Sequence, residues 1–420
     1  MRRFLSVALV FALVTALAGC GSKPAGQTAQ PKQDEPVTLT FWHTYNTDGP
    51  ETKTLNEVVI PAFEAKHPNI KVKAQVMPYD GLHDNLVTAV SGGAVPDVMR
   101  MDIIWTPEFA KLGALTQMDN LAGFGDLKGQ VFAGPLSTNF YKGHYYGLPL
   151  DTNTQVAIYN RDLLKAANVV EPPKTLDELK ALAEKFKGQK DKWGFALGGP
   201  GPWQTLPIFW SAGGRVTDEQ FTKASGYLNS DASVKALQWI IDMKYAGLMG
   251  PSLTGGKPDP WGGFKGGNYA SIIDGPWFFA IMGKDLGDKM VGAPIPAGPG
   301  GSTSVVGGEN VVIFKTSKHQ EAAWEFVKYL LSDEAQTAMA KVGQMPVTQS
   351  ASNSDVMKSV AYYAPYVTQL ATAKPRTVSP NWPKIEKVLS DSFEAAIRGK
   401  STAKAALDDA ARQIDALLAQ

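Results

Sequence analysis

The chain of 420 residues carries a single cysteine, Cys20, so no intrachain disulfide can form. It also has almost no net charge, with 41 Lys and Arg facing 40 Asp and Glu. That balance leaves no field to hold the protein on a polyanion, and nucleic acid is not expected as a partner. The only histidines are His43, His67, His83, His144 and His319, with no i, i+4 pair and no carboxylate in metal-ligand spacing. No metal and no cofactor is expected. Catalytic signatures are missing too. Arg398-Gly399-Lys400-Ser401 ends like a phosphate-binding loop, but Glu394 stands where that loop needs its first glycine. Gly298-Pro299-Gly300 begins a dinucleotide fingerprint whose third glycine would be Thr303. There is no Gly-x-Ser-x-Gly elbow. These absences leave one enzymatic arrangement open, a pair of carboxylates distant in sequence such as glycosidases use.

What is present begins at the amino terminus. Arg2 and Arg3 precede an apolar run from Phe4 to Ala18, broken only by Ser6 and Thr15. It is shorter than the roughly 20 residues a spanning helix needs, and residues 1–19 read as a signal peptide. Leu17-Ala18-Gly19-Cys20 resembles the bacterial lipobox, which implies cleavage before Cys20 and a diacylglycerol on its thiol. Loss of Arg2 and Arg3 with the peptide takes the formal charge from +1 to −1. Gly21 to Pro36 contains no aromatic residue and no Leu, Ile, Val or Met, so it has little to bury in return for being ordered. Residues 20–36 are expected to be a flexible, lipid-anchored linker outside the cytoplasmic membrane.

From Val37 onward the pattern is that of an α/β lobe. Val37, Leu39 and Phe41 alternate as a strand ending near Trp42, and Ile70, Val72, Ala74 and Val76 as a second. Leu55, Val58, Val59, Ala62 and Phe63 mark a helix kinked at Pro61, Leu82 to Val90 another, and Pro96 to Met101 a third strand. In such sheets ligands lie beyond the carboxyl ends of the strands, where Trp42 to Asp48 and then Asp102 and Trp105 stand. Thr106 reads as a helix cap before Pro107, and Thr175 to Glu178 as a capping box. Gly198–Trp210 and Gly247–Gly267 read as glycine-rich loops, the second of them mobile, and Pro294–Gly301 as a flexible segment. Tyr269 to Asp274 reads as a buried strand. Ser317 is expected to open a helix, and Ser401 to recap the helical carboxyl terminus after Gly399.

Trp42, Trp105, Trp203, Trp261, Trp277 and Trp382 all fall in predicted loops, several beside Asp, Asn or Gly. A pyranose stacks its C–H face on an indole, while planar carboxylates and amides hold its hydroxyls. With Asp102, Asp151 and Asn153 at strand ends, the combination points to carbohydrate.

The order of these pieces carries a resemblance. A lipobox and polar linker lead into Leu39-Thr40-Phe41-Trp42, then Pro96-Asp97 with Asp102 and Trp105. Tyr146-Gly147-Leu148-Pro149 with Asp151-Thr152-Asn153 follows, then Asp274-Gly275-Pro276-Trp277, Gly307-Gly308-Glu309-Asn310 and Pro346-Val347. From Val37 to the carboxyl terminus the chain resembles the extracellular solute-binding proteins of ABC sugar importers, in the maltose and oligosaccharide cluster. The resemblance implies an α/β, two-lobed periplasmic-binding-protein-like fold with a hinge and an interlobe cleft. Residues 37–149 plus 307–346 would form the amino-terminal lobe and residues 155–303 plus 353–420 the other, with hinge crossings at 150–154, 304–306 and 347–352.

By the same resemblance Trp42, Thr44, Asp48, Asp102 and Trp105 would face the cleft from the first lobe, Asp151 and Asn153 would sit at a hinge, and Trp277 would be the main stacking platform. Gly308 and Glu309 occupy a position where many relatives carry an aromatic residue after paired glycines, so Glu309 would put an acceptor in place of a stacking face. Arg376 would donate to hydroxyls, and Trp382 would be a second platform. The implied function is that of a monomeric lipoprotein, not an enzyme, that captures a neutral mono-, di- or oligosaccharide. It would deliver the sugar to ABC transporter permease subunits driven by a separate ATPase. The alternatives are a lipid-anchored glycosidase and a binding protein for a non-sugar solute such as a glycerol phosphodiester.

Overall fold

In β1 (Val37–His43) the side chains of Leu39, Phe41 and His43 are buried while their neighbours keep some exposure, the period-two burial that the alternating sequence calls for. The computed structural model describes residues 36–420; the expected signal peptide, Cys20 and the linker up to residue 35 lie outside the described residues. β1 pairs in parallel with β2 (Ile70–Val76) on one side and with β3 (Val98–Asp102) on the other. A short hairpin follows, β4 (Phe140–Tyr141) with β5 (His144–Tyr145). β6 (Leu148–Thr154) is buried along its whole length. One residue later β7 (Val156–Asn160) belongs to a different sheet, paired antiparallel with β8 (Ser271–Asp274) and β9 (Met290–Ala293). The chain therefore leaves one sheet for the other at Gln155. It returns through β10 (Ser304–Ile313), which pairs antiparallel with β3 and β6, while its first two residues pair in parallel with β11 (Ala373–Lys374).

Helices pack on the two larger sheets, giving a two-lobed α/β fold. Phe41 meets Phe326 of the helix Gln320–Leu330 edge to face at 5.3 Å, with Leu55, Phe63 and Leu330 in the same cluster. In the second lobe Phe209, Leu237, Ile240, Phe393, Leu407 and Ile414 join three helices in one apolar cluster with the helix Pro202–Ser211. Ile158, Ile272 and Phe278 pack on the β7–β8 pair.

Local sequence chemistry accounts for several boundaries. Pro61 cannot donate to the carbonyl four residues back, and the helix before it widens to a π turn over Leu55–Val59, where the Ile60 N–H reaches Leu55 O. The expected kink is taken up in this way. Thr175 and Glu178 form the full capping box. Thr106 does not cap: Trp105 holds that position, and the Thr106 hydroxyl accepts from Asn310 Nδ2 at 2.9 Å. Ser317 instead bonds Asp97 at 2.6 Å, and its helix starts at Gln320. Thr402 rather than Ser401 caps the last helix, Ala403–Leu418.

Two segments expected to be loops are partly helical. Pro202–Ser211 is a helix in spite of Pro207. Its residues are apolar nearly all round, so no amphipathic period announced it. Within Gly247–Gly267 lie a 3₁₀ turn over Pro251–Thr254 and the helix Pro260–Lys265, capped by Asp259. Pro294–Gly301 is tied down as well, with Ala297 bridged to Thr175 and the Gly300 N–H on Ser211 O.

Candidate functional site

Strand register assembles an ionic row. Glu309 of β10 lies opposite Asp102 of β3 on one side and opposite Asp151 of β6 on the other. Arg100 stands two residues before Asp102, on the same face of β3. Its Nε donates to Asp151 Oδ2 at 3.0 Å, and its Nη2 to Glu309 Oε2 at 2.6 Å and Gln344 Oε1 at 3.1 Å. Nη1 reaches Thr44 Oγ1 at 2.8 Å, and the Tyr45 ring lies 4.2 Å from the guanidinium carbon. Arg100 is 5% exposed and Asp151 4%, so the arginine's cost of leaving water is offset by nearly saturated hydrogen bonding. Burial pushes Glu309 well above the usual carboxylate range, against the pull of Arg100 and with the help of Asp151.

A second ionic pair lies beside the first. Arg376 Nη2 donates to Asp102 Oδ1 at 3.1 Å. The same carboxylate accepts the Tyr79 hydroxyl at 2.8 Å and the Ile104 N–H at 3.0 Å, which holds Asp102 at the start of the turn after β3. The Arg376 guanidinium lies 5.3 Å from the Trp203 ring, within cation–π range.

Trp203 owes its position to Pro207. A proline four residues on leaves the Trp203 carbonyl without its helical donor. With the Gln155 amide oriented to satisfy its neighbours, its nitrogen donates to that carbonyl at 2.8 Å and its oxygen accepts from Trp203 Nε1 at 2.5 Å. The residue at the passage between the sheets thus fixes the indole. Trp277, at the first position of the helix Trp277–Leu286, faces Trp203 with ring centroids 6.4 Å apart and planes 23° apart. Beneath it Asp274 accepts from Trp261 Nε1 at 2.5 Å and from the Gly275 N–H at 2.7 Å, and burial raises its pKa to about 6.

The paired glycines leave room for this arrangement. A Cβ on Gly307 would come within 2.2 Å of Asn153 Oδ1 and 2.6 Å of the Trp203 ring. Gly308 has φ +131° and lies against the Asp151 carbonyl, a conformation and a contact that a side chain would oppose.

The acids Asp102 and Glu309 and the indole pair share the lining of a cavity of about 470 Å³. Of the residues expected at a ligand site, Thr44, Asp102, Asn153, Trp277, Gly308, Glu309 and Arg376 line it. The other five do not. Asp151 is buried and committed to Arg100. Asp48 is exposed, outside the lining. Trp42 packs, half-buried, against the apolar core. Trp105 is 4% exposed, stacked on Tyr79 at 5.4 Å, because the turn wound by Asp102 folds it back under the strand end. Trp382 is fully buried and heads an apolar stripe through Ile385, Leu389 and Phe393; that helical spacing was the sign of a core residue. Sequence reasoning missed Glu51, Tyr79, Arg100, Gln344 and Glu386 in the lining, and reached Tyr45 and Asn46 only as part of the stretch Trp42 to Asp48. Trp203 was noticed as a tryptophan but placed in a loop. No group of His, Cys, Asp or Glu that could hold a metal ion occurs among the described residues.

Three polar atoms of lining residues are buried without a hydrogen-bond partner among the described residues: Glu51 Oε2, Asn153 Oδ1 and Arg376 Nε. A site with two spare acceptors, one spare donor, two near-parallel indoles and several carboxylates is equipped to hold a small polyhydroxylated molecule by stacking and hydrogen bonds.

Two lobes of α/β structure joined by strands that pass between them, around a cavity of this kind, define a solute-binding protein. The bacterial extracellular solute-binding protein family matches residues 46–337, and the chain belongs to it. Among relatives, it is 30% identical to the arabinooligosaccharide-binding protein of Bacillus subtilis (strain 168) over 78% of this chain and 75% of that one. It is 27% identical to the diacetylchitobiose binding protein DasA of Streptomyces coelicolor over 99% and 97% of the two chains. Among solved structures, maltose-bound MalE3 of T. maritima superposes with a TM-score of 0.81 at 26% identity, covering 91% of this chain and 100% of that one.

Proposed function

We propose that this protein captures a mono-, di- or oligosaccharide in the cavity and delivers it to the permease of an ABC importer. The observation that carries the reading is that Trp203 and Trp277, the acids Asp102 and Glu309, and the amide Asn153 all line one cavity. The sugar specificities named for the relatives support it. Both guanidiniums at the site are engaged by carboxylates, which argues against a phosphate ligand.

The passage at Gln155 and the return through β10 would serve as hinge crossings, as would 347–352. A ligand touching both lobes would favour the closed state by the difference between its affinities for the two conformations. The lipobox-like Leu17-Ala18-Gly19-Cys20 supports anchoring at the outer face of the cytoplasmic membrane, where the protein would act as a monomer. In this role the protein returns its ligand chemically unchanged.

A thermal-shift screen against a sugar panel tests the reading. A sugar at one hundred times its dissociation constant should add roughly 2.7 kcal/mol of stability, and product analysis after incubation should recover it intact. No stabilisation by any sugar, or cleavage of the one that binds, would overturn the proposal.

A further inference from the structure

The charges around the cavity do not balance. Arg100 is paired with Asp151 and Glu309, and Arg376 with Asp102. Two further carboxylates line the same space, Glu51 and Glu386, and neither has an ion-pair partner among the described residues.

Glu51 is the more informative. It is 1% exposed, and its Oε1 accepts from the Asn46 N–H at 3.1 Å and from Asn46 Nδ2 at 2.7 Å. Its Oε2 is buried with no hydrogen-bond partner. A buried carboxylate held only by neutral donors, with one oxygen free, is costly unless a donor arrives, and most favourably a charged one. Glu386 projects from a different element, the helix Trp382–Ile397. It feels Arg376, Asp102 and His83, and burial pushes it up against the pull of Arg376. Trp203, Trp277 and Tyr79 supply aromatic faces in the same lining, surfaces that favour a cation.

A sugar hydroxyl would satisfy the free oxygen but leave the charge uncompensated. A protonated amine does both. Resting on the carbohydrate reading above, we infer that the ligand is an amino sugar, or a short oligosaccharide containing one, whose ammonium pairs with Glu51, with Glu386 supplying a second carboxyl group in the same lining. This departs from the neutral ligand expected from sequence because Glu51 and Glu386 lie outside the loops on which that expectation rested.

Calorimetric titration of the chain lacking residues 1–19 at pH 6 tests the inference with matched sets. Glucose, glucosamine and N-acetylglucosamine form one, the corresponding galactose and mannose compounds two more, and cellobiose, its diamino counterpart and the diacetylated form a fourth. In the set that binds, the amine should bind about tenfold more tightly than its hydroxyl and acetamide counterparts. Glu51→Gln and Glu386→Gln should each cut that ratio several-fold. Glu386 is half-buried, so its variant carries the test should Glu51→Gln fail to fold. A hydroxyl or acetamide member binding as tightly as the amine would overturn the inference and leave the carbohydrate reading standing. Failure of every member of every set to bind would contradict both.

Discussion

Trp277→Ala is expected to weaken sugar binding by about tenfold or more, equivalent to about 1.4 kcal/mol, measured as the dissociation constant of the sugar found by the stability screen. Trp277 is half-buried at the start of its helix, near-parallel to Trp203 and part of the cavity lining. Removing the indole takes away the broadest apolar surface available to the C–H face of a sugar ring. It also frees Trp203 from its stacked neighbour, so the loss should exceed that from one hydrogen bond. The fold should survive, because the hydrogen bonds that organise the turn before the helix come from Asp274, Trp261 and Gly275. An unchanged affinity in a folded variant would remove Trp277 from the site.

Arg100→Met should cost about 3–5 kcal/mol of folding stability, the range for removing one partner of a buried ion pair, read as a lowered urea midpoint. The arginine joins β3, β6 and β10 through Asp151 and Glu309 and reaches the segment after residue 340 through Gln344. Without it two adjacent, largely buried acids are left together with no cation, and one must be protonated. Glu309 already lies well above the usual carboxylate range, so it should take the proton, and the deficit should grow as pH rises. Adding Glu309→Gln should recover part of the loss by removing one of the stranded acids. A single variant as stable as the parent would show that the network contributes little.

The parts of this molecule legible in its sequence are those in which a local rule and the tertiary structure agree. The alternation at Leu39 and Phe41, the capping box at Thr175 and the glycine at 308, with its φ of +131°, each have a local cause that survives packing. The ionic row was not legible. Glu309 meets Asp102 and Asp151 only through the register of three strands far apart in sequence, and nothing adjacent to Arg100 marks it as their common partner. The tryptophans show the limit from the other side. Trp382 lies on a helical stripe that extends to Phe393, and extending the stripe one turn back would have placed it in the core. Trp203 sits in a helix that two prolines disguise, and its role depends on Gln155, a residue with no motif of its own.

The central claim is spatial: a sugar lies in the cavity that the indole pair and the acid row line together. A crystal structure of the chain with the sugar selected by the stability screen tests it most directly. The predicted result is a ring stacked on Trp277, with hydroxyls or an amine in hydrogen-bonding reach of Asn153, Glu309 or Glu51. A sugar bound elsewhere on the protein, with the cavity between Trp277 and Glu309 holding none, would contradict it.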